Sequence, residues 1–336
     1  MKLIYEGSVK NVYQDANPEH LWFDFTDDYS VFDWGKMPDP IPGKGEALAA
    51  LAKGFFDQLA DPARWKDLGL HNLPDTAGIL PLKHHALDRQ GSRLKVKKVD
   101  VPRLAANQVG GLLVYDYSYP FGQNQLLPLE VIFRFGAPKG SSLFQRKDWY
   151  AFPIHEGMEF PEPLIEFSTK LESKDRMVTY QEAAHILKGD TARLKQLHSA
   201  ARAVALFLQR AFQQQGLKLW DGKVEWALVD GALTLVDSIG PDELRVSQDG
   251  AVLSKQFLRD FYLDKPWYAA IEKAKALAQE RGVSDWKTIA REELKAQPPA
   301  LSPAYLEAAR LLYQDFVEML VHQRPATRFL NAVKHL

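Results

Sequence analysis

In KVEWALVDGALTLVDSIGPDELR (223–245), Glu225 and Asp237 stand at the far ends of two apolar stretches joined at Asp230-Gly231. Magnesium takes hard oxygen ligands, commonly one or two carboxylates completed by substrate phosphates. An acidic side chain buried without a partner is costly, so two of them at strand ends make a candidate metal pair. The pairing register decides whether they can cooperate. A two-residue Asp230-Gly231 turn sets Glu225 opposite Val236 and puts Asp237 on the other face. A register centred on Gly231 sets Glu225 opposite Asp237 on one face, and it needs an odd loop or a bulge. The expectation is the Gly231-centred register.

Four other stretches could carry chemistry. In YEGSVKNVY (5–13), Gly7 would let the backbone approach a phosphate and Lys10 would add charge. The same residues also describe a plain turn with a solvated lysine. FTDDYSVFDWGKMPDPIPGKG (25–45) is a Pro/Gly loop able to hold Ser30, Asp33 and Lys44 near a ligand, or simply a surface loop. In PLEVIFRFGAPKGSS (128–142), positions 129, 131 and 133 face one way and Glu130, Ile132 and Arg134 the other. An arginine followed by Gly140-Ser141-Ser142 suits an oxyanion such as phosphate, or an edge-strand pairing with a neighbouring carboxylate. In FSTKLESKDR (167–176), Lys170 and Lys174 read as solvated. His84-His85 lacks metal-motif spacing, and no GxSxG marks a nucleophilic serine.

The elements that must position these residues follow from periodicity. Leu3, Tyr5, Val9 and Tyr13 fit an opening hairpin, and Leu21, Phe23 and Phe25 alternate as a strand. Residues 46–60 and 191–215 have the helical period, the second ended by Gly216, and 93–101 and 127–135 read as strands. Thr179 and Glu182 have capping-box spacing. The stretch 102–126 reads as an inserted excursion, and 266–336 as mostly helix interrupted near 297–303. The result is an α+β plan: a β-rich N-terminal lobe (1–125, with an insertion at 102–125), an α+β lobe (126–265) and a helical C-terminal extension (266–336). A cleft between two such lobes is a common ligand site.

Lysines and arginines number 42 against 43 acidic residues, so no global charge calls for nucleic acid or anionic lipid. No apolar run has membrane-span length, and Met1 runs directly into strand-like sequence without a signal or transit peptide. The absence of cysteine excludes disulfides, Cys-zinc sites and a thiol nucleophile, and it suits the cytoplasm. Small-molecule partners are expected, with no nucleic acid and no membrane; oligomeric state is left open.

In this order, the five stretches resemble the SAICAR synthetase (phosphoribosylaminoimidazole-succinocarboxamide synthase) family, in patches from about residue 3 to 263. The matching elements are 5–13, the loop 28–45, Val96-Lys97-Lys98-Val99-Asp100, Pro128 to Ser141, Thr169-Lys170, then Asp221, Lys223, Glu225, Asp237 and Arg245, and SKQFLRDF (254–261). The resemblance implies a two-lobe fold with ATP in the cleft. It implies an ATP- and Mg2+-dependent ligase that joins aspartate to the carboxylate of a phosphoribosyl aminoimidazole, by way of an acyl phosphate. Carried over residue by residue, it implies Gly7, Ser8 and Lys10 on the ATP phosphates. Backbone at Leu126 and Leu127 and the Lys170 side chain would hold adenine. Glu225 and Asp237 would hold magnesium, and Arg134, Ser141 and Arg245 the substrate phosphate. Ser30, Lys44, Asp175, Asp221 and Lys223 would line the carboxylate and amine region, Asp221 and Lys223 as the catalytic candidates.

The chain departs from the family pattern at Ser8, where a lysine is usual, in a longer loop after Arg134, and at Lys174-Asp175. The insertions at 102–126 and around 266–300 are also atypical. A related ligase with a different carboxylate–amine pair, and a nucleotide-binding protein with little turnover, stay open. A kinase-like phosphotransferase is disfavoured because HRD-type and DFG motifs are missing.

Overall fold

The structure is a computed structural model and describes residues 1–76, 78–109 and 112–336. Five strands form the N-terminal sheet: β1 (Lys2–Glu6), β2 (Lys10–Gln14), β3 (His20–Phe25), β4 (Ala86–Gln90) and β5 (Arg93–Lys97), in the order β1-β2-β3-β5-β4. The excursion forms a separate hairpin, β6 (Ala105–Val109) and β7 (Leu112–Asp116); its residues 110 and 111 lie outside the described residues. That hairpin braces the 170s loop, with Tyr115 donating to Ser173 Oγ and Tyr117 to Glu172.

The larger sheet contains β8 (Gln125–Ala137), β9 (Met158–Thr169), β10 (Met177–Val178), β11 (Lys218–Val229), β12 (Ala232–Val236), β13 (Leu244–Gln248) and β14 (Ala251–Val252). Its order is β10-β9-β8-β11-β13-β14, with β12 also on β11, and all its pairs are antiparallel. β8 therefore lies inside the sheet, and Arg134 is not on an edge strand.

Helices α1 (Lys44–Ala60) and α2 (Pro62–Asp67) follow the Pro/Gly loop, and α3 (Tyr180–Ile186) and α4 (Thr191–Gln213) follow β10. The C-terminal part contains α5 (Lys255–Tyr262), α6 (Pro266–Glu280), the single turn α7 (Trp286–Thr288) running into a π-helical turn, α8 (Pro303–Leu320) and α9 (Arg328–Val333). α4 buries its apolar stripe against β8, β9 and β11, while α1 packs on β3, β4 and β5 and also on α8. One core runs from Phe25 through Phe55, Leu129, Val131 and Phe133 to Leu312 and Phe316. The C-terminal helices share that core.

The alternation in β8 holds. Leu129, Val131 and Phe133 are fully buried in the core, and Glu130 and Arg134 turn to the opposite, polar face. The capping box forms in part: Thr179 Oγ1 accepts from Glu182 N, but the Glu182 carboxylate accepts from Arg176 instead of reaching back.

The Gly231-centred register does not form. Val229 pairs with Ala232 and Glu225 with Val236, around a two-residue Asp230-Gly231 turn. Both turn residues have positive φ, 52° and 75°, the geometry whose twist matches paired strands. Asp237 then lies one residue beyond the ladder with φ 65°, so strand alternation no longer dictates where its carboxylate points.

The start of α1 explains the glycines of the PGKG segment. Asp27, far upstream, accepts from Gly43 N at 3.1 Å and Gly45 N at 3.0 Å, doing the work of an N-cap. A Cβ on Gly45 would stand 2.2 Å from the Phe25 carbonyl oxygen, whereas one on Gly43 would meet nothing within 4 Å. Gly43→Ala should therefore cost about 1 kcal/mol, the price of its left-handed backbone. Gly45→Ala should cost more, about 1–3 kcal/mol, because helix and strand must separate. Denaturant midpoints of the two variants check this ordering.

Candidate functional site

The polar face of β8, β9 and β11 forms the floor of the cleft. Glu130 on β8 lies directly opposite Glu225 on β11 and opposite Ser168 on β9. Two like charges facing each other on a ladder repel. Lys170, just past β9, places its ammonium 2.9 Å from Glu130 Oε1 and 2.8 Å from Glu225 Oε1. Lys223, two residues from Glu225 on the same face, does the same at 2.6 and 3.2 Å. Burial works against both ammonium charges, but Glu225 and Glu130 outweigh it and raise both lysine pKa values. Burial would likewise raise Glu130, but Lys223 and Lys170 hold it below the usual carboxylate range.

Over this floor comes the opening hairpin. Gly7 N donates to Lys10 O, and a Cβ on Gly7 would lie 2.4 Å from that oxygen, so the tight turn requires glycine. Lys10 lies 4.3 Å above the Phe23 ring and pairs with the Asp237 carboxylate. Burial opposes the Asp237 charge, yet Lys10, then Lys223 and Lys170, bring its pKa down to about 2. The carboxylates expected as a metal pair thus belong to one charge network despite the register. His85 Nε2 donates to the Asp237 carbonyl at 3.1 Å, and burial pushes this histidine down to about 4, so it acts as a neutral prop. Asp175 stands exposed at the mouth; the protein around it and the charge of Glu130 push its carboxyl up to about 6.

At the other end, Arg134 is saturated by carboxylates. Its Nε meets Glu166, its Nη1 lies 3.0 Å from Asp221, and its Nη2 donates to Ser142 Oγ. Ser141 instead caps the next turn by accepting from Leu143 N. Arg146 and Tyr150 complete the shell of Glu166. Arg245 shares Asp221 at 3.5 Å but keeps a buried Nη1 without a partner among the described residues. Arg259 lies close enough to Arg245 that burial and then that neighbouring charge lower its pKa. Lys44 is fully buried, its ammonium 3.4 Å from Asp242 and 5.4 Å from the centre of the Tyr313 ring. Ser30 Oγ accepts from Gly35 N within the Pro/Gly loop.

A small apolar cluster, Leu126, Ala227, Val229 and Val236 flanked by Val99 and Leu171, stands apart from the main core. Leu126 N is already engaged with Asp100 O, and Leu127 is fully buried. Among the described residues no group of three or more His, Cys, Asp or Glu side chains is arranged for a metal.

The SAICAR synthetase family profile matches residues 3–274. The chain belongs to the SAICAR synthetase family. An Archaeoglobus fulgidus protein provisionally named phosphoribosylaminoimidazole-succinocarboxamide synthase is 32% identical over 324 residues, covering 92% of both chains. The synthase of Desulfosudis oleivorans is 27% identical, covering 80% of this chain and 86% of its own. Among solved structures, a SAICAR synthetase in complex with ADP aligns with a TM-score of 0.56 at 24% identity, covering 88% of this chain and 99% of that one. The Saccharomyces cerevisiae SAICAR synthase complexed with SAICAR aligns at 0.58 and 21% identity, covering 96% of each. These structures share the mixed α+β fold.

Several residues of the cleft carry no local signal in the sequence: His85, Asp242, Glu243, Lys255 and Arg259, although the last four lie in or beside the segments that resemble the family. Glu243 is the least ordinary. Its Oε1 accepts from Ser238 at 3.3 Å and its Oε2 is buried without a partner among the described residues. Burial, then the charges of Asp242 and Asp237, push its carboxyl up to about 8. A carboxyl raised this far above its unfolded value supports the fold below about pH 4.5, and that support is lost as pH rises through about 8. Glu243→Gln should remove this dependence. Its melting temperature relative to the parent protein should climb between pH 5 and 8.5, and a constant offset would contradict the assignment.

Proposed function

We propose that this chain catalyses the SAICAR synthetase reaction: ATP- and magnesium-dependent joining of aspartate to the carboxylate of phosphoribosyl carboxyaminoimidazole, in purine biosynthesis. The observation that carries the reading is the single charge network of Lys10, Lys170 and Lys223 with Glu130, Glu225 and Asp237, in a chain of this family. Phosphoryl transfer asks mainly for positioning and neutralisation of charge.

In this reading the apolar patch Leu126, Ala227, Val229 and Val236 takes the flat adenine, with backbone at Leu126 and Leu127 along its edge. The Gly7–Ser8 turn covers the phosphates and Lys10 neutralises them, leaving Asp237 as it does so. The donor set fits magnesium: Glu225 and Asp237 supply hard oxygens, and both recorded bonds to Glu225 use Oε1, leaving Oε2. When bound, the ion would neutralise and orient phosphate oxygens. Lys170 acts on the nucleotide side through the carboxylates it holds rather than by touching adenine.

The substrate phosphate is assigned to Arg245 and Arg259, whose charges are only partly answered; Ser141, expected there from the resemblance, caps the turn at Leu143 instead. Arg134, neutralised by Glu166 and Asp221, orients Asp221 and so Arg245. Ser30 and Lys44 border the carboxylate region, and Lys223 stabilises its charge. Transfer of the γ-phosphoryl group to the substrate carboxylate gives ADP and an acyl phosphate. The amine of aspartate then attacks the carbonyl carbon, inorganic phosphate leaves with the C–O bonding pair, and the amine gives up its proton. Asp175 at the mouth offers a carboxylate to that amine.

In this reading the chain divides into lobes 1–125 and 126–265 with an extension 266–336. A cytoplasmic location accords with the lack of cysteine. Among the described residues no helix is long and apolar enough to cross a membrane.

ADP release should require both the aminoimidazole carboxylate and aspartate. Release with some other acid–amine pair would favour a related ligase, and ATP binding without turnover for any pair a binding protein. Asp237→Asn should abolish magnesium-dependent turnover with an unchanged circular dichroism spectrum; full activity would remove Asp237 from the metal site.

A further inference from the structure

The family match ends at residue 274, yet the chain beyond it is built into the substrate side of the cleft. Arg291 donates to the Trp34 carbonyl at 2.8 Å and lies 4.7 Å from the centre of its ring. Leu301 N donates to the Asp39 carboxylate. Tyr262 and Tyr29 meet through their hydroxyls at 2.7 Å, and the Tyr262 hydroxyl donates to the Pro299 carbonyl at 3.2 Å. The Arg291, Leu301 and Tyr262–Tyr29 contacts fall on the loop 28–45, which contains Lys44, and Tyr262, itself before 274, ties that loop to Pro299 beyond it. Deeper in, Tyr313 of α8 is fully buried, and its hydroxyl donates to Asp242 Oδ1 at 2.6 Å.

We propose that the C-terminal extension positions the substrate end of the cleft, with Tyr313 as the positioning residue for Asp242 and Lys44. The Lys44 ammonium is enclosed by protein and its only charged partner within 4 Å among the described residues is Asp242. Lys255 and Glu243 add their charges around Asp242, and a buried ion pair in such a cluster is stable only if its geometry is fixed. Tyr313 braces this pair from one side, giving its hydroxyl to one carboxylate oxygen of Asp242 and its ring face to the ammonium, whose Nζ has no hydrogen-bond partner among the described residues. Asp242 opens the Asp-Glu-Leu-Arg run that carries Arg245, and Lys44 closes the 28–45 loop. One side chain from beyond the residues the family profile matches therefore sets the angle between the two strips of chain that border the substrate. Packing alone does not account for it, because a phenylalanine would fill the same space and leave Asp242 Oδ1 unpaired.

This inference rests on the assignment of that end of the cleft to the carboxylate substrate. The test is Tyr313→Phe in the full chain, with steady-state ADP release measured against each substrate in turn. kcat/KM for the aminoimidazole carboxylate should fall about ten-fold or more, the worth of a hydrogen bond to a charged group. KM for ATP should stay within about two-fold of the parent value on that same differential-binding argument. Equal loss for all substrates, or no loss, would overturn the proposal. A second readout needs no substrate: amide hydrogen exchange in 28–45 and 240–245 should speed up in Tyr313→Phe. Exchange in 28–45 should also rise in Arg291→Ala, whose side chain is exposed and whose loss spares the core. Unchanged exchange in either variant would overturn the proposal. A parent protein that releases no ADP with these substrates would sink the assigned reaction, while the exchange result would still judge the positioning role.

Discussion

Glu130 and Glu225 face each other across the β8–β11 ladder on the polar side of a sheet whose other side is core. Left alone they would force the strands apart or take up protons. Lys170 and Lys223 resolve the conflict by bridging both carboxylates. The rest of the cleft depends on that solution. Lys170 must come from the end of β9, which fixes the 170s loop and Asp175, and Lys223 must share the face of Glu225, which fixes the register of β11. Asp237 is added from beyond β12 and is met by Lys10 from the opening hairpin. The network is close to neutral without ligand, so a polyanion and a cation can enter by exchanging partners rather than by exposing new charge.

Sequence carried much of this where structure is local. Alternation in PLEVIFRF placed Glu130 and Arg134 on one face, and the long apolar periods located α1 and α4. The β11–β12 register differs from the one expected because turn chemistry, not the symmetry of the two carboxylates, decides it. Asp230-Gly231 adopts the two-residue turn that paired strands favour, and a single left-handed residue at Asp237 re-aims the carboxylate afterwards. Contacts between distant residues left no local trace. Nothing near Lys44 announces Asp242 or Tyr313, and nothing near Gly43 announces the Asp27 cap. Arg134 shows the same limit: its oxyanion and carboxylate readings were balanced, and only the fold supplies Glu166 and Asp221.

The C-terminal helices hold the Pro/Gly loop in place. The Pro/Gly loop has its own backbone hydrogen bonds, such as Met37 N to Tyr29 O and Ile41 N to Asp27 O, and the C-terminal part adds contacts to them. Here Trp34 is held between Trp267 and Trp286, and the α1–α8 contact joins the loop's far end to the C-terminal helices. Residues after 266 thus add contacts to the 28–45 loop, while the opening hairpin places Lys10 beside Asp237.

The central claim is that this network is a resting form that changes partners when nucleotide and metal bind. A crystal structure with a non-hydrolysable ATP analogue and magnesium tests it most directly. Lys10 should leave Asp237 for the phosphate oxygens, with Glu225 and Asp237 turned to the metal and adenine against Leu126 and Val236. An intact Lys10–Asp237 pair, with the nucleotide bound elsewhere, would contradict it.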